Sequence, residues 1–382
     1  MTSQAAALLP PLPPLQIGAY TIPVPILQGG MGVRVSAHRL ASAVANEGGV
    51  GIIATVALSL ASKYYEKGRD YYRANIRALI DELNDARELS PNGIIGVNCM
   101  VAIRDFEAMV RTSVEHGAQI IVSGAGLPLR LPEFAIANPK AALIPIISSL
   151  RAAKLLAKRW HKLYKRLPDA MIFEDPNRAG GHLGVKFIQQ LFSKEYDADT
   201  VVPELAEWSR TEYGDEIPIV TAGGVWDRSD IDHALSLGAK GVQMASRFIC
   251  TYECDAHDSF KQAFIDAKEG DVVIVDSPAG LPGRALNTAF TKTLLRGGDV
   301  SDTCVATCLD ACRCRENKDT FCIAMALHRA QQGDLEQGLI FTGSNAVRHT
   351  GLVHVRDIFQ ELIYGTPVRP VRIESTQSET TE

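Results

Sequence analysis

Residues 217–246 read IPIVTAGGVWDRSDIDHALSLGAKGVQMAS and predict one strand–helix–strand unit. Ile217–Thr221 and Gly241–Met244 have the length and apolar character of buried strands, and Asp227–Leu237 between them has the spacing of a surface helix. Apolar strands joined by helices are typical of a parallel sheet that is covered on both faces. The stretch therefore predicts an α/β fold.

The same alternation continues towards the N-terminus. Further strand-like runs are Val24–Gln28, Val50–Ala54, Ile94–Asn98, Gln119–Ser123, Leu143–Ser148 and Ala170–Glu174. Helical patterns lie between several of them, at Ala37–Glu47, Asp105–His116, Leu150–Leu163 and Val185–Phe192. Eight such units in about 250 residues favour a closed (β/α)₈ TIM barrel. An open, doubly wound sheet is the alternative arrangement of the same elements.

Two stretches do not fit the simple repeat. The polar, helical stretch at about 60–90 follows the second strand and predicts a helical insertion. Residues 276–382 follow the eighth strand and predict a C-terminal helical extension that packs on the barrel mouth. The predicted domains are therefore a barrel over 1–275 and an extension over 276–382.

Composition limits the classes of function. The chain has 382 residues, a net charge of −5 and no basic stripe, so nucleic acid is not an expected partner. Its longest apolar runs have the length of strands rather than of membrane spans. Met1–Leu15 lacks the basic start of a secretory signal, so the expected compartment is the cytoplasm. The expected partner is a small-molecule substrate, and a homodimer is left open.

Glycine and polar residues follow the strands rather than being spread at random. They include Gln28-Gly29-Gly30, Asn98, Ser123-Gly124, Ser148-Ser149, Ala179-Gly180-Gly181-His182, Ala222-Gly223-Gly224 and Gln243-Met244-Ala245-Ser246. In a barrel all strand ends meet at one face, where active sites are found, so the pattern favours an enzyme. The loops after strands seven and eight are the usual phosphate site of such barrels. The alternative is that each glycine pair only makes a tight turn.

These motifs resemble one family in their order and spacing. They are Gln28-Gly29-Gly30-Met31, Gly96-Val97-Asn98-Cys99-Met100, Gly124-Ala125-Gly126-Leu127-Pro128, Ala179-Gly180-Gly181-His182-Leu183-Gly184, Ala222-Gly223-Gly224 and Gly241–Phe248. The family is that of the nitronate monooxygenases (2-nitropropane dioxygenases), which includes FMN-dependent enoyl-acyl-carrier-protein reductases. The resemblance extends from about Ile22 to Ala263.

The resemblance implies an FMN-binding barrel with the cofactor at its mouth. By position it implies FMN contacts from Gln28, Gly29, Met31, Asn98, Asp175, Gly180, Gly181, Gly223, Gly224, Gln243, Met244, Ala245 and Ser246. Asp175 departs from the Gln or Glu expected at its position, and Glu174 is the alternative for that contact.

His182 is the candidate catalytic residue. It lies on a glycine-rich loop, and a neutral imidazole can take or give a proton near pH 7. It would take the α-proton of a substrate or orient a nitronate; in a reductase it would orient the substrate or supply a proton. The alternative is that it caps the following helix. Arg284, in a Pro- and Gly-rich loop, either covers the flavin or binds an anionic substrate, or else is a solvated surface residue.

Three functions remain open from the sequence. The first is an FMN oxidoreductase that oxidises nitronates with O₂. The second is an NAD(P)H-dependent FMN reductase of enoyl thioesters or quinones. The third is a non-catalytic barrel subunit that uses its cysteine-rich segment for assembly, but the full set of strand-end motifs argues against it.

The cysteine-rich segment contains five of the eight cysteines. Cys304, Cys308 and Cys312 are four residues apart and would share one face of a helix. Clustered thiolates suit Zn²⁺ or an iron–sulfur cluster, for which Cys304, Cys308, Cys312 and Cys322 are the candidate ligands. The alternative is that small buried cysteines pack a helix against the barrel.

Overall fold

A computed structural model describes residues 9–66, 70–214, 217–304, 306–318 and 320–373. Its strands are β1 Leu15–Ile17, β2 Tyr20–Ile22, β3 Ile26–Gln28, β4 Val50–Ala54, β5 Ile94–Met100, β6 Ile120–Gly124, β7 Ala142–Ile147, β8 Met171–Glu174, β9 Gly181–His182, β10 Ile219–Ala222, β11 Gly241–Met244, β12 Val272–Asp276 and β13 Pro282–Leu286. The strands β3, β4, β5, β6, β7, β8, β10 and β11 pair in parallel in that order. The barrel is closed because β11 pairs with β3. The predicted TIM barrel is confirmed, and the open sheet is excluded.

The helices lie mainly between the barrel strands. They are α1 His38–Asn46, α2 Tyr71–Leu89, α3 Phe106–Glu115, α4 Leu131–Phe134, α5 Leu150–Tyr164, α6 Ala198–Tyr213, α7 Arg228–Ser236, α8 Asp258–Ile265, α9 Ala289–Leu295, α10 Arg313–Glu316, α11 Ile323–Gln331 and α12 Val355–Tyr364. None of the helices in the described ranges is long and apolar enough to cross a membrane.

The core has two parts, one on each side of the strands. Inside the barrel, apolar side chains such as Ile52, Ile144 and Ile172 pack together. The β1–β2 hairpin adds Leu15 and Ile17 to this inner core, next to the start of β11. Outside the barrel, a second core fills the space between strands and helices. Because the barrel strands are covered on both faces, they show continuous rather than alternating apolar sequence.

Two of the sequence predictions for helices need correction or refinement. The helix predicted at Val185–Phe192 is wrong: only a 3₁₀ turn, Ile188–Gln190, forms there, and Phe192 takes a left-handed backbone (φ +63°). The helix that connects β8 to β10 is α6, whose N-cap Asp197 accepts a hydrogen bond from Asp199 N–H. The helical stretch predicted at about 60–90 corresponds to α2, in the usual place of a barrel helix between β4 and β5.

The chain beyond the eighth barrel strand returns to the loop that carries the histidine. Strands β12 and β13 form an antiparallel hairpin, and β13 pairs with β9 through the Gly283–His182 and Arg284–Gly181 registers. The domain boundary predicted at 275/276 falls within β12, and the division into two domains stays a prediction. The hairpin fixes the position of the loop that follows β8.

Candidate active site

Three polar side chains lie on the inner face of the barrel at its C-terminal end. Side chains alternate along a strand, so Glu174 points to the same side as Ile172 of the inner core. The register aligns Glu174 with Ala222 and Ala222 with Gln243, so Glu174, Ala222 and Gln243 lie side by side on adjacent strands. Asn98 lies four residues after Ile94 on β5, so by the same alternation its side chain is the third polar group on the inner face. Ala222 is small and leaves room between its larger neighbours.

Close backbone approach explains the glycines after β3. Gly29 N–H donates to the carbonyl of Met244, at 2.8 Å. A Cβ on Gly30 would lie 2.5 Å from that of Asn98, and one on Gly29 would lie 3.0 Å from that of Ala245. The structure therefore packs Gly29 against Ala245 and Gly30 against Asn98 at this end of the barrel, and their contact with FMN stays a prediction.

Gln28 and Met244 do not face the mouth with their side chains. The Gln28 amide is completely buried, donates to the carbonyl of Gly29 and accepts from Ile52 N–H. The Met244 side chain packs in the outer core. Neither side chain is placed to contact a ligand in the mouth, because both belong to the wall of the barrel.

The loops after β10 and β11 have the features of an anion site. Gly223 and Gly224 take positive φ angles of +95° and +82°, which favour glycine. Within the described part of the chain, the amides of Gly223, Gly224 and Ser246 donate no hydrogen bond. Ser246 also begins a short 3₁₀ turn, Ser246–Phe248. Free amides at such positions suit a phosphate group.

Two buried polar atoms at the mouth lack hydrogen-bond partners among the described residues. They are Oε1 of Gln243 and Oδ2 of Asp175. The nearest cation to Asp175 Oδ2 is the Arg178 Nε, at 3.7 Å, which is too long for a hydrogen bond. Burial raises the pKa of Asp175. Buried polar atoms are almost always satisfied, so Oε1 of Gln243 points to a hydroxyl or N–H group of a ligand. The carboxylate of Asp175 instead lies near the backbone N–H groups of Asn177 and Ala198, which counteract the rise in its pKa.

Glu174 is an acidic group of unusual character. Burial, with a smaller contribution from the charge of Asp175, raises its pKa to about 7. The side chain is nevertheless only half-buried, as expected for a residue at the floor of a recess. At neutral pH the carboxyl group therefore exchanges readily between its protonated and ionised forms.

His182 is held from two sides and stays accessible. Its Nε2 lies 2.8 Å from the hydroxyl oxygen of Ser277, and its ring meets that of Phe341 edge-on with centroids 5.3 Å apart. Burial lowers its pKa to about 4, so the ring is neutral at pH 7. The residue lies in β9 and not at a helix start, so the capping alternative is wrong.

Arg284 neither covers a ligand nor is solvated. It is 5% exposed, and its guanidinium group donates to the carbonyls of Pro176, Asn177 and Ala179. Both sequence interpretations are therefore corrected: β13 lies beneath the loop after β8, so Arg284 points into that loop. It fixes the chain that leads to His182.

A C-terminal stretch that the sequence did not predict, residues 341–345, crosses the mouth. Gly343 N–H donates to the Ser246 hydroxyl, Ser344 N–H to the carbonyl of Arg178, and the Asn345 amide to the carbonyl of Gly224. A Cβ on Gly180 would lie only 2.6 Å from the amide nitrogen of Gly343. The Gly-Ser-Asn sequence indicates a turn, but no local signal reveals which loops it contacts.

The cysteine-rich segment does not form the predicted helix. Thr307 takes a left-handed backbone (φ +50°) between Cys304 and Cys308, and helix α10 begins only at Arg313. Within the described ranges no three His, Cys, Asp or Glu side chains are arranged to hold a metal ion. All eight cysteines are free, and Cys304 alone is not buried. The metal site predicted at Cys304, Cys308, Cys312 and Cys322 gains no support, because these thiols pack in the outer core.

This segment is nevertheless attached to the loops of the mouth. Arg104 N–H donates to the carbonyl of Cys308, beside an antiparallel bridge between Ile103 and Leu309. Arg313 N–H donates to the carbonyl of Pro278, in the turn that begins with Ser277. The cysteines thus support the outer side of the loops that follow β5 and β12.

The chain is similar in sequence to several known proteins. The sequence model of one family, described as nitronate monooxygenase, matches residues 14–365. A protein of Mycobacterium tuberculosis named (3aS,4S,5R,7aS)-5-hydroxy-7a-methyl-1-oxo-octahydro-1H-indene-4-carboxyl-CoA dehydrogenase is 28% identical, over 72% of this chain and 66% of its own length. A probable nitronate monooxygenase of Bacillus subtilis is 26% identical, over 70% of this chain and 77% of its own length.

A solved structure supports the fold. FabK from Thermotoga maritima superposes with a TM-score of 0.65 and 24% sequence identity, over 89% of this chain and 93% of that chain. The similarity covers the barrel and most of the chain beyond it.

Proposed function

Since the chain belongs to the nitronate monooxygenase family, and is therefore an oxidoreductase, we propose that it binds FMN at the barrel mouth and oxidises nitronates with O₂. One observation carries the proposal. The mouth combines a neutral His182 with the free amides of Gly223, Gly224 and Ser246 and the unsatisfied oxygen of Gln243, a set of groups that suits a phosphate-bearing, hydroxyl-rich cofactor.

The residues at the mouth fit FMN in two ways. The free amides of Gly223, Gly224 and Ser246 would hold its phosphate. The unpaired oxygen of Gln243 would accept from one of its hydroxyl or N–H groups. When bound, FMN supplies the reversible acceptance of electrons that no side chain of the site provides.

The protein's own contribution is to bind and orient the substrate. His182 presents one ring nitrogen to the mouth and takes no positive charge near neutral pH. Phe341 covers one edge of the ring and limits the access of water. Asn98 adds an amide that can bind a second polar atom of the substrate.

The second candidate is an NAD(P)H-dependent FMN reductase of enoyl thioesters or quinones. The observation that favours a thioester is the match to a relative named for a carboxyl-CoA substrate. In this function the same histidine would meet the thioester carbonyl. The localisation proposed with either function is the cytoplasm, and a homodimer stays open.

The visible spectrum of the protein, purified under nitrogen, tests the proposal. Flavin absorption bands are expected, with bleaching by a nitronate and not by NADH. Bleaching by NADH would favour the reductase, and a broad brown shoulder would restore an iron–sulfur cluster at the cysteines. A folded protein that is colourless and cannot be reconstituted with FMN would contradict both candidate functions. His182→Ala is the matched control, because it should keep the flavin bands.

A further inference from the structure

We propose that His182 acts on the substrate as a neutral hydrogen-bond donor through Nδ1–H, and that Ser277 is the positioning residue that fixes this tautomer. The inference rests on the proposed function only in placing the substrate next to His182. The tautomer itself is a property of the protein and can be measured without turnover.

The first step is the hydrogen bonding of the Ser277 hydroxyl. Ser277 is buried, at 2% exposure, and its oxygen accepts a hydrogen bond from Ala279 N–H at 3.1 Å. Within the described residues, the only other group near this oxygen that can pair with it is Nε2 of His182, at 2.8 Å. A hydroxyl group has one proton to donate, and a buried donor needs an acceptor.

The second step follows from that requirement. If Nε2 carried the proton, both hydroxyl lone pairs of Ser277 would accept and its own proton would have no partner in a buried position. If Nε2 is unprotonated, the hydroxyl donates to it and every group of the pair is satisfied. The neutral ring then carries its proton on the other nitrogen, Nδ1.

The third step concerns where Nδ1 lies. No described residue pairs with it, yet it is absent from the buried atoms that lack partners, so it is in contact with solvent. The ring cannot readily turn over, because β9 is paired with β13 and Phe341 packs against the imidazole. Burial also lowers the pKa of His182, which keeps the ring neutral. The accessible nitrogen of His182 therefore carries an N–H group rather than a basic lone pair.

This tautomer selects the form of the substrate. An Nδ1–H group stabilises an oxygen that carries or develops negative charge, such as a nitronate oxygen or a thioester carbonyl. It cannot accept the α-proton of a neutral nitroalkane at the same atom. We therefore expect the protein to use preformed nitronates and not their neutral nitroalkane forms.

Nitrogen-15 NMR of protein labelled on its nine histidines measures the tautomer directly. His182→Gln identifies the signals of the residue by their loss. At pH 7 the expected spectrum has a protonated Nδ1 and an unprotonated Nε2. In Ser277→Ala the proton should redistribute towards Nε2, and in Ser277→Thr, which keeps the hydroxyl, the wild-type pattern should remain. A wild-type ring protonated on Nε2, or an unchanged tautomer in Ser277→Ala, would overturn the inference.

Kinetics provide the second measurement. Ser277→Ala should lower kcat by about tenfold with a much smaller change in KM, and Ser277→Thr should restore it. Equal kcat/KM for a nitronate and its neutral nitroalkane would show that His182 works as a base and would refute the donor role. A protein without flavin but with the Nδ1–H tautomer would instead refute the proposed function alone.

Discussion

The loop after β8, residues 175–184, and the cysteine-rich segment, residues 304–322, both contain residues of high chemical reactivity. The two regions differ in whether their reactive side chains are accessible. His182 is held by Ser277 and keeps one nitrogen open to the mouth. In the segment, burial raises the pKa of Cys308 to about 12, and neighbouring thiols contribute in the same direction. Both regions are firmly attached to the barrel, but only one presents a functional group.

The difference lies in the backbone around the two regions. Gly180 and Gly181 let the chain pass close to Gly343 and Phe341, so His182 reaches the mouth without being covered. The cysteines instead pack among apolar side chains in the outer core, where a small thiol fits and a thiolate does not. A high density of reactive residue types is therefore a weaker functional signal than one such residue among glycines.

The largest contrast is expected in turnover. His182→Ala should lower kcat by about 10²- to 10³-fold, since a donor to the developing charge is lost, and should leave flavin binding intact. Cys308→Ala should change kcat less than about twofold, because its thiol packs in the core and touches no substrate. Steady-state kinetics with a nitronate check both. Equal losses in the two variants would remove the distinction between the regions.

Two arginines allow the same comparison for stability. Arg284→Lys should lower the free energy of unfolding by about 2–3 kcal/mol, because the single nitrogen of lysine cannot reproduce the spread of the two guanidinium nitrogens that reach the three carbonyls. Arg315→Lys, the control in the cysteine-rich segment, should cost under about 1 kcal/mol, because Arg315 is 29% exposed and water can replace its two carbonyl contacts. Urea unfolding measures both values, and a larger loss for Arg315→Lys would contradict the view that the β8 loop is the more tightly fixed.

The pH dependence of stability tests the mouth itself. The pKa of Glu174 is raised from its usual value of 4.5 to about 7, so the folded protein binds its proton more tightly than the unfolded chain. Its stabilising contribution is present below pH 4.5 and is lost as the pH rises to about 7. Glu174→Gln should therefore reduce the fall in unfolding free energy between pH 5 and pH 8 by about 1–2 kcal/mol. Identical pH slopes in the two proteins would show that Glu174 titrates normally.

The smallest effect is expected from thiol modification. Only Cys304 is partly exposed, so a thiol reagent should modify at most one cysteine rapidly in the native protein and all eight after unfolding. Turnover should remain within about twofold of its original value, because no cysteine faces the mouth. Rapid modification of several cysteines would show that the segment opens in solution.

The eight strands of the barrel could be predicted from the sequence. Each barrel strand is a continuous apolar run, and such runs are recognisable because both faces of a barrel strand are buried. The glycine pairs after β3, β8 and β10 can be assigned to one end of the barrel for the same reason: strand ends converge in a parallel barrel. The predicted helix at Val185–Phe192 failed because helical spacing alone does not show that Phe192 adopts positive φ.

The site could be predicted only in part. His182, Asn98 and Gln243 follow from their places at strand ends, but their partners are distant in sequence. Ser277 lies 95 residues after His182, and Phe341 comes from beyond the cysteines. Gln28 and Met244 belong to the expected motifs, yet their side chains point away from the mouth, because successive side chains of a strand alternate between its two faces. The spacing of apolar residues predicts which face of a strand or helix a residue occupies. It does not predict which distant loop contacts that residue.

The stretch Phe341–Asn345 has a consequence for the order in which the protein matures during synthesis. All eight barrel strands have been synthesised when the chain reaches residue 244, whereas the residues that join the loops of His182, Gly224 and Ser246 are added about a hundred residues later. Domains generally fold from the N-terminus as the chain is made, at about 5–20 residues per second. A nascent chain would therefore hold a barrel with an open mouth for several seconds before its chemistry could begin.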